Sequence, residues 1–253
     1  MRRGRLPHRS VFFRRPLIMK TKKVLGYVLH RGQIGAHSYV AVLTLNTSNR
    51  KTGQMAQIWF LLTGVNPVEA VKLGLDAETI CRGCPFAAGN GCYVNVGQAP
   101  LAVWKAYRNG RYADLVPARY AAVLTGRKIR FGAYGNPTLL PLSKVKALAA
   151  VSDGWTGYFH DWRTNKQAAG YADYFMASTE TKSSLAQANR LGFRTFHVSP
   201  VKPAASIECL SDAKGLTCAQ CKLCAGASKA RMPSIWINPH GSKEAKASAA
   251  AMA

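Results

Sequence analysis

Residues 129–162, IRFGAYGNPTLLPLSKVKALAAVSDGWTGYFHDW, read as strand, helix, strand. IRFGAY (129–134) is short and rich in β-branched and aromatic residues, as a buried strand is. Pro141 opens a helix to Val151 with Leu142, Val145 and Leu148 on its inner face, and GYFHDW (157–162) is the next strand. The rhythm continues: YFMAS (174–178) is a strand, Ser183 caps a helix that stops at Gly192, and TFHVS (195–199) and SIWIN (234–238) are further strands. Strands alternating with helices imply parallel pairing through crossovers. Five strands are too few to close an eight-stranded barrel. The expected fold is therefore α/β: a partial or irregular parallel (TIM-like) barrel with an N-terminal β unit and cysteine-rich loops.

Upstream, VLGYVLH (24–30), YVAVLTL (39–45) and MAQIWFLL (55–62) read as a meander, with the polar loop NTSNRKTGQ (46–54) before the third strand. Pro67 opens a short helix ending near Gly74, and Pro100 opens another, with Leu101, Trp104 and Tyr107 on one face and Gly110 at its end. Four segments follow: a basic arm expected to be disordered (1–23), the β unit with the first cysteine loop (24–127), the βα core with the second cysteine group (128–241), and a frayed tail (242–253).

All seven cysteines fall in two groups. CLSDAKGLTCAQCKLC places Cys209, Cys218, Cys221 and Cys224 at C-x8-C-x2-C-x2-C, and CRGCPFAAGNGC places Cys81, Cys84 and Cys92 at C-x2-C-x7-C. Thiolates are strong ligands for soft metals, and a two-residue spacing lets one turn aim two sulfurs at one centre. Zinc sites use two separated C-x2-C knuckles; three cysteines at successive x2 intervals resemble half of a bacterial ferredoxin motif. The expectation is a [4Fe–4S] cluster on Cys209, Cys218, Cys221 and Cys224, with zinc as the alternative. For the three-cysteine group three schemes stay open. They are a zinc site completed by His30 or His37, a second [4Fe–4S] cluster with one open iron, and a different sharing of the seven thiols.

The 253-residue chain carries 35 Lys and Arg against 11 Asp and Glu, a formal charge of +24. Such an imbalance favours a polyanion, and non-specific electrostatic binding of nucleic acid is the expected partnership. Residues 1–68 hold twelve basic residues and no acid, nine of them in 1–23; Met19 is an alternative start. Trp104, Tyr107, Arg108, Arg111 and Tyr112 form a basic and aromatic stretch that suits either base stacking or core packing. No apolar run reaches the roughly 18–20 residues of a membrane span, and Arg14 and Arg15 interrupt any signal-like core. Clustered thiols then suit a reducing, cytoplasmic setting. No Walker motif, hydrolase triad or dinucleotide fingerprint is present.

In parallel α/β folds chemistry gathers at the C-terminal strand ends. Tyr134, Asn136, His160, Asp161, Arg163, Ser178, Glu180, His197, Asn238 and His240 sit there. His160, Asp161 and Glu180 are the candidate proton carriers.

The runs CRGCPFAAGNGCYVNVGQAPLAVWKAYRNGRY, RFGAYGNP, GWTGYFHDWR, MASTET and TCAQCKLCAG together resemble a group of uncharacterised cysteine-rich proteins carried by bacteria, phages and conjugative plasmids. The resemblance spans roughly residues 75–240. It implies an iron–sulfur or zinc protein on a partial barrel distantly similar to radical S-adenosylmethionine enzymes, with all seven cysteines as ligands. The chain lacks the C-x3-C-x2-C of those enzymes, which speaks against cofactor cleavage by their route.

Overall fold

The structure is a computed structural model, and it describes residues 24–229 and 232–240. The N-terminal arm (1–23) and the C-terminal tail (242–253) lie outside them. The described residues form a mixed α/β fold with two sheets. Strands β1 (Gly26–Ile34), β2 (His37–Thr44) and β3 (Met55–Leu62) make the antiparallel meander expected from their alternating and apolar runs. All eight residues of β3 are buried, because it lies between neighbours and is covered on both faces. A two-residue strand β4 (Ala113–Asp114) pairs with β1 at one edge. On the other side β3 pairs in parallel with β5 (Lys128–Tyr134), and β5 with β6 (Trp155–Thr156). The second sheet is wholly parallel: β7 (Tyr158–Phe159), β8 (Met176–Thr179), β9 (Thr195–Val198), β11 (Ser234–Ile237) and, outermost, β10 (Ser206–Glu208).

Of the strand expected over 157–162 only Tyr158–Phe159 is extended; β6 lies just before Gly157 and β7 just after it, and the two belong to different sheets. Phe175 and Phe131 pack where a Gly157 side chain would stand, so the chain can turn from one sheet to the next only without one. His160 and Asp161 lie just beyond β7, and Asp161–Arg163 form a 3-10 turn. No pairing joins β4 to β10 among the described residues, so the strands do not close on themselves.

The helices are α1 (Pro67–Lys72), α2 (Leu75–Glu78), α3 (Ala99–Arg108), α4 (Tyr120–Leu124), α5 (Leu142–Val151), α6 (Ala168–Ala172), α7 (Lys182–Arg190), α8 (Leu210–Lys214) and α9 (Cys218–Cys221). Helix α5 buries Val145, Leu148 and Ala149, as its spacing requires. Helix α7 is capped by Thr181 rather than Ser183. The Thr181 hydroxyl accepts from the Ser184 N–H and Ser184 Oγ accepts from the Thr181 N–H, a reciprocal box that satisfies two end donors.

One large core joins both sheets, with Phe60, Phe131, Phe159 and Phe175 at most 1% exposed. A separate small core, Met176, Phe196, Ile235 and Ile237, backs the far end of the second sheet, with Cys209 and Cys224 packed against it. No helix among the described residues is long and apolar enough to cross a membrane.

Candidate functional site

The first cysteine group hangs from the end of α2. The Asp76 carbonyl accepts from the Cys81 N–H at 2.8 Å and the Cys81 carbonyl from the Cys84 N–H at 3.1 Å. Arg82 and Gly83 between them are left-handed, which wraps CRGC into a tight turn. The turn is pinned to the end of β5 by the Asn136 N–H, which donates to the Ile80 carbonyl at 2.8 Å. Gly135 makes this approach possible. Its φ is +80°, and a Cβ there would lie 2.6 Å from Phe60 Cβ and 3.3 Å from the Ile80 carbonyl.

The second group is held by the loop before β3. Thr217 caps α9 in a box with Gln220, and the N–H groups of Cys218 and Ala219 donate to the carbonyls of Lys51 and Thr52 at 2.9 and 3.0 Å. Lys51 also pairs with Asp212 at 2.8 Å. Cys224 sits at the seam between the sheets: its carbonyl accepts from the Gly157 N–H at 2.8 Å.

The two groups face one cavity of about 380 Å³. Six of the seven cysteines line it, all but Cys221. None is in a disulfide. Burial pushes the Cys81, Cys84, Cys92, Cys209, Cys221 and Cys224 thiols up, Cys84 to about 12; neighbouring sulfurs raise Cys81, Cys84, Cys221 and Cys224 further, while the added push comes from Asp76 on Cys92 and from Asp212 on Cys209. Cys84 and Cys92 act on Cys81; Cys218, Cys209 and Cys221 act on Cys224. Each group is therefore within electrostatic reach of itself. Among the described residues, however, no three His, Cys, Asp or Glu side chains are gathered closely enough to hold a metal ion. The thiols share a wall and do not close round a single ion.

Sequence reasoning missed Asp76. It is 2% exposed, its Oδ2 lies 3.8 Å from Cys81 Sγ and accepts from the Tyr134 hydroxyl at 3.4 Å, and its Oδ1 is buried with no partner. A carboxylate one turn before the first cysteine was the available signal. Neither His30 nor His37 lines the cavity.

Of the three candidate proton carriers only His160 lines the cavity. Its Nδ1 is buried without a partner, and burial lowers its pKa to about 4, opposed by Asp161 and reinforced by Arg163. Asp161 is 4% exposed and fully engaged. It accepts from Asn136 Nδ2 at 2.7 Å, Thr138 Oγ1 at 2.9 Å, Asn165 Nδ2 at 3.1 Å and Arg82 Nε at 3.3 Å. Glu180 pairs with Arg163 at 3.2 Å; burial raises its pKa and Arg163 opposes the rise. His197 is buried against the Thr179 hydroxyl at 2.9 Å.

Arg130 was also missed. It is 8% exposed, in mid-strand, and lines the cavity. Its Nη2 donates to the hydroxyls of Tyr93 and Tyr158 at 2.9 and 2.7 Å, and the two hydroxyls lie 2.8 Å apart. Burial works against its charge, but the Tyr158 and Tyr93 oxygens and the Cys218 sulfur outweigh that and hold its pKa above the usual value. Trp104 donates to the Leu62 carbonyl at 2.8 Å and is half-buried, which is packing against β3. Beside it Arg31, Tyr107, Arg108 and Tyr112 line a surface hollow.

The sequence matches no protein-family model, no curated protein and no solved structure.

Proposed function

We propose that this chain is an iron–sulfur protein whose two cysteine groups hold [4Fe–4S] centres on the wall of one ligand cavity. The observation that carries the reading is that six free thiols, from two segments far apart in sequence, line the same space. Cys209, Cys218, Cys221 and Cys224 would hold one centre. Cys81, Cys84 and Cys92 would hold the other, with Asp76 the nearest candidate for a fourth position; its unpartnered Oδ1 fits that role. Such a centre supplies electron transfer, or a Lewis-acid position where one iron is open. The chain's own part is to enclose the cavity, with Arg130 and His160 as its polar contacts. We read the two sheets as one curved wall, a partial α/β barrel. The parallel run from β3 through β11 and the passage from β6 to β7 through Gly157 support it.

A second reading, nucleic-acid binding, is favoured by the hollow lined by Arg31, Tyr107, Arg108 and Tyr112, and by basic residues outnumbering acidic ones about two to one among the described residues.

Anaerobic purification with iron, sulfide and zinc quantified per chain tests the first reading. About eight irons per chain, or about four, with matching sulfide, is the expected result. Cys221→Ser and Cys84→Ser should each remove one centre, and Asp76→Ala should weaken retention at the first group about 10–100-fold. Zinc without sulfide selects a zinc-stabilised protein. A chain holding neither metal, with the cysteine variants indistinguishable from wild type, ends the proposal. DNA retention across a salt series tests the second: it should fall steeply with salt, with a slope reduced by about 1 in Arg108→Gln. No retention at low salt rejects it.

A further inference from the structure

We propose that Arg130, with Tyr93 and Tyr158, anchors the carboxylate or phosphate head of a small organic anion inside the cavity. The inference rests on the cavity of the reading above but not on its metal.

Two arginines buried among the described residues make the contrast. Arg194, 9% exposed, spends its donors on backbone: Nε on the Met232 carbonyl, Nη1 on those of Leu223 and Gly226, Nη2 on that of Pro233. It is a structural clamp. Arg130 is as deeply placed, yet only Nη2 is engaged, and by two neutral phenols. Among the described residues its Nε and Nη1 make no hydrogen bond and it joins no ion pair. A buried guanidinium presents a planar fork that matches an oxyanion in two-point geometry. Leaving that fork half-used is unfavourable unless something else completes it.

The surroundings favour an anion. No Asp or Glu lines the cavity, whereas Arg130 and Lys51 do. The fork is held ready: Tyr158 stacks on Phe196 with ring centroids 4.4 Å apart and planes at 9°, and the guanidinium lies 5.2 Å from the Tyr158 ring centre. Tyr93 follows Cys92 directly, so the same contact ties the anchor to the first cysteine loop. Trp59, Phe86, Phe196 and Ile237 give the cavity an apolar wall suited to the body of an organic molecule. His160, on the same cavity, keeps an unpartnered Nδ1.

The test uses the full chain purified anaerobically, with iron measured on every sample. Inorganic phosphate and acetate are titrated separately at fixed ionic strength, followed by calorimetry and tryptophan fluorescence, since Trp59 lines the cavity. One saturable site is expected for at least one probe. Arg130→Met abolishes it, Arg130→Lys weakens it at least tenfold, and Tyr93→Phe, which removes one hydroxyl from a half-exposed ring, weakens it severalfold in a folded chain. Lys166→Gln, exposed and outside the cavity, leaves it unchanged. Phosphate alone assigns a phosphate ester, acetate alone a carboxylate, and both a site indifferent to the head. The inference is overturned if neither probe saturates, if Tyr93→Phe and Arg130→Lys bind as wild type does, or if Lys166→Gln loses as much as Arg130→Lys. Loss of iron without loss of anion binding fails the metal reading alone; loss of anion binding with iron retained fails only this one.

Discussion

Replacing Asp161 with Ala should cost more stability than almost any other single polar substitution in the chain. The carboxylate is 4% exposed, and two of its donors, Asn136 Nδ2 and Thr138 Oγ1, belong to residues 1% and 8% exposed. Alanine leaves the Thr138 hydroxyl and one of the two Asn136 amide hydrogens without an acceptor, the other still being accepted by Thr138 Oγ1 at 2.8 Å. An unsatisfied buried donor costs about 1–3 kcal/mol, so the pair accounts for roughly 2–6 kcal/mol. The Arg82 contact adds little, because that side chain is 36% exposed and the pair is screened. A loss of about 4 kcal/mol is a large share of the roughly 5–15 kcal/mol typical of a folded domain, and corresponds to a Tm lower by about 10–15 °C. Asp161→Asn keeps the volume and one acceptor oxygen but turns an amide toward the donors, so its loss should be smaller, about 1–3 kcal/mol.

Urea unfolding followed by tryptophan fluorescence, together with calorimetry, measures both variants. Arg82→Gln, which removes only the exposed partner, should stay within about 1 kcal/mol of wild type. The reasoning fails if Asp161→Ala unfolds within about 1 kcal/mol of wild type, or if Arg82→Gln is as damaging as Asp161→Ala. Either result would mean that the Asn136–Thr138–Asp161 network does not hold the strand ends together.

Two further outcomes follow from the same geometry. At Gly53, with φ +66°, a Cβ would lie 2.9 Å from Thr217 Cβ and Oγ1; Gly53→Ala adds about 1–2 kcal/mol of backbone strain and pushes the α9 cap away, so Cys218 and Cys221 should react with a maleimide severalfold faster while Cys81 does not, and equal labelling rates would contradict it. For His160, a folded pKa of about 4 against an ordinary 6.5 means that the unfolded chain takes up the proton first. Its contribution is complete above about pH 6.5 and is lost as pH falls toward 4, up to roughly 3 kcal/mol. His160→Gln should therefore flatten the pH dependence of the urea midpoint in that window; an unchanged slope would refute the assignment.

The strand–helix alternation was legible because its signals are local. Continuous apolar runs give β3 and β5, a 3.6-residue spacing gives α5, and prolines mark the starts of α1 and α3. The break at Gly157 was not, since a glycine at the head of GYFHDW reads as the start of one strand, and only Phe131 and Phe175 pressing on it reveal the change of sheet. β10 escaped because SIE is three residues long and is a strand only through its partner β11. The cysteine groups were visible as spacing, but their meeting in one cavity depends on the Lys51–Thr52 loop docking on α9, a contact no local pattern carries. Arg130 did leave a trace: it is the charged residue between Ile129 and Phe131 in a strand otherwise suited to burial.

The partnering of the buried charges separates scaffold from site. Asp161 is surrounded by four donors and does not reach the cavity, so its charge is spent on holding Asn136, Thr138 and the first cysteine turn in place. Arg130 reaches the cavity with only Nη2 hydrogen-bonded among the described residues, and Asp76 stands behind Cys81 with one oxygen idle. Incompletely paired buried groups lower stability, and a fold keeps them where something arrives to complete them. Both idle groups border the thiols: Asp76 lies against the first set, and Arg130 acts on Cys218 of the second. Among the described residues the core beside that second set has four buried members, with Cys209 and Cys224 packed on it. So small a core gains most from an inorganic staple, whereas the continuous core under β1–β5 has no need of one. The same thiols that border the cavity are thus placed where a bound metal would brace the smaller of the two cores.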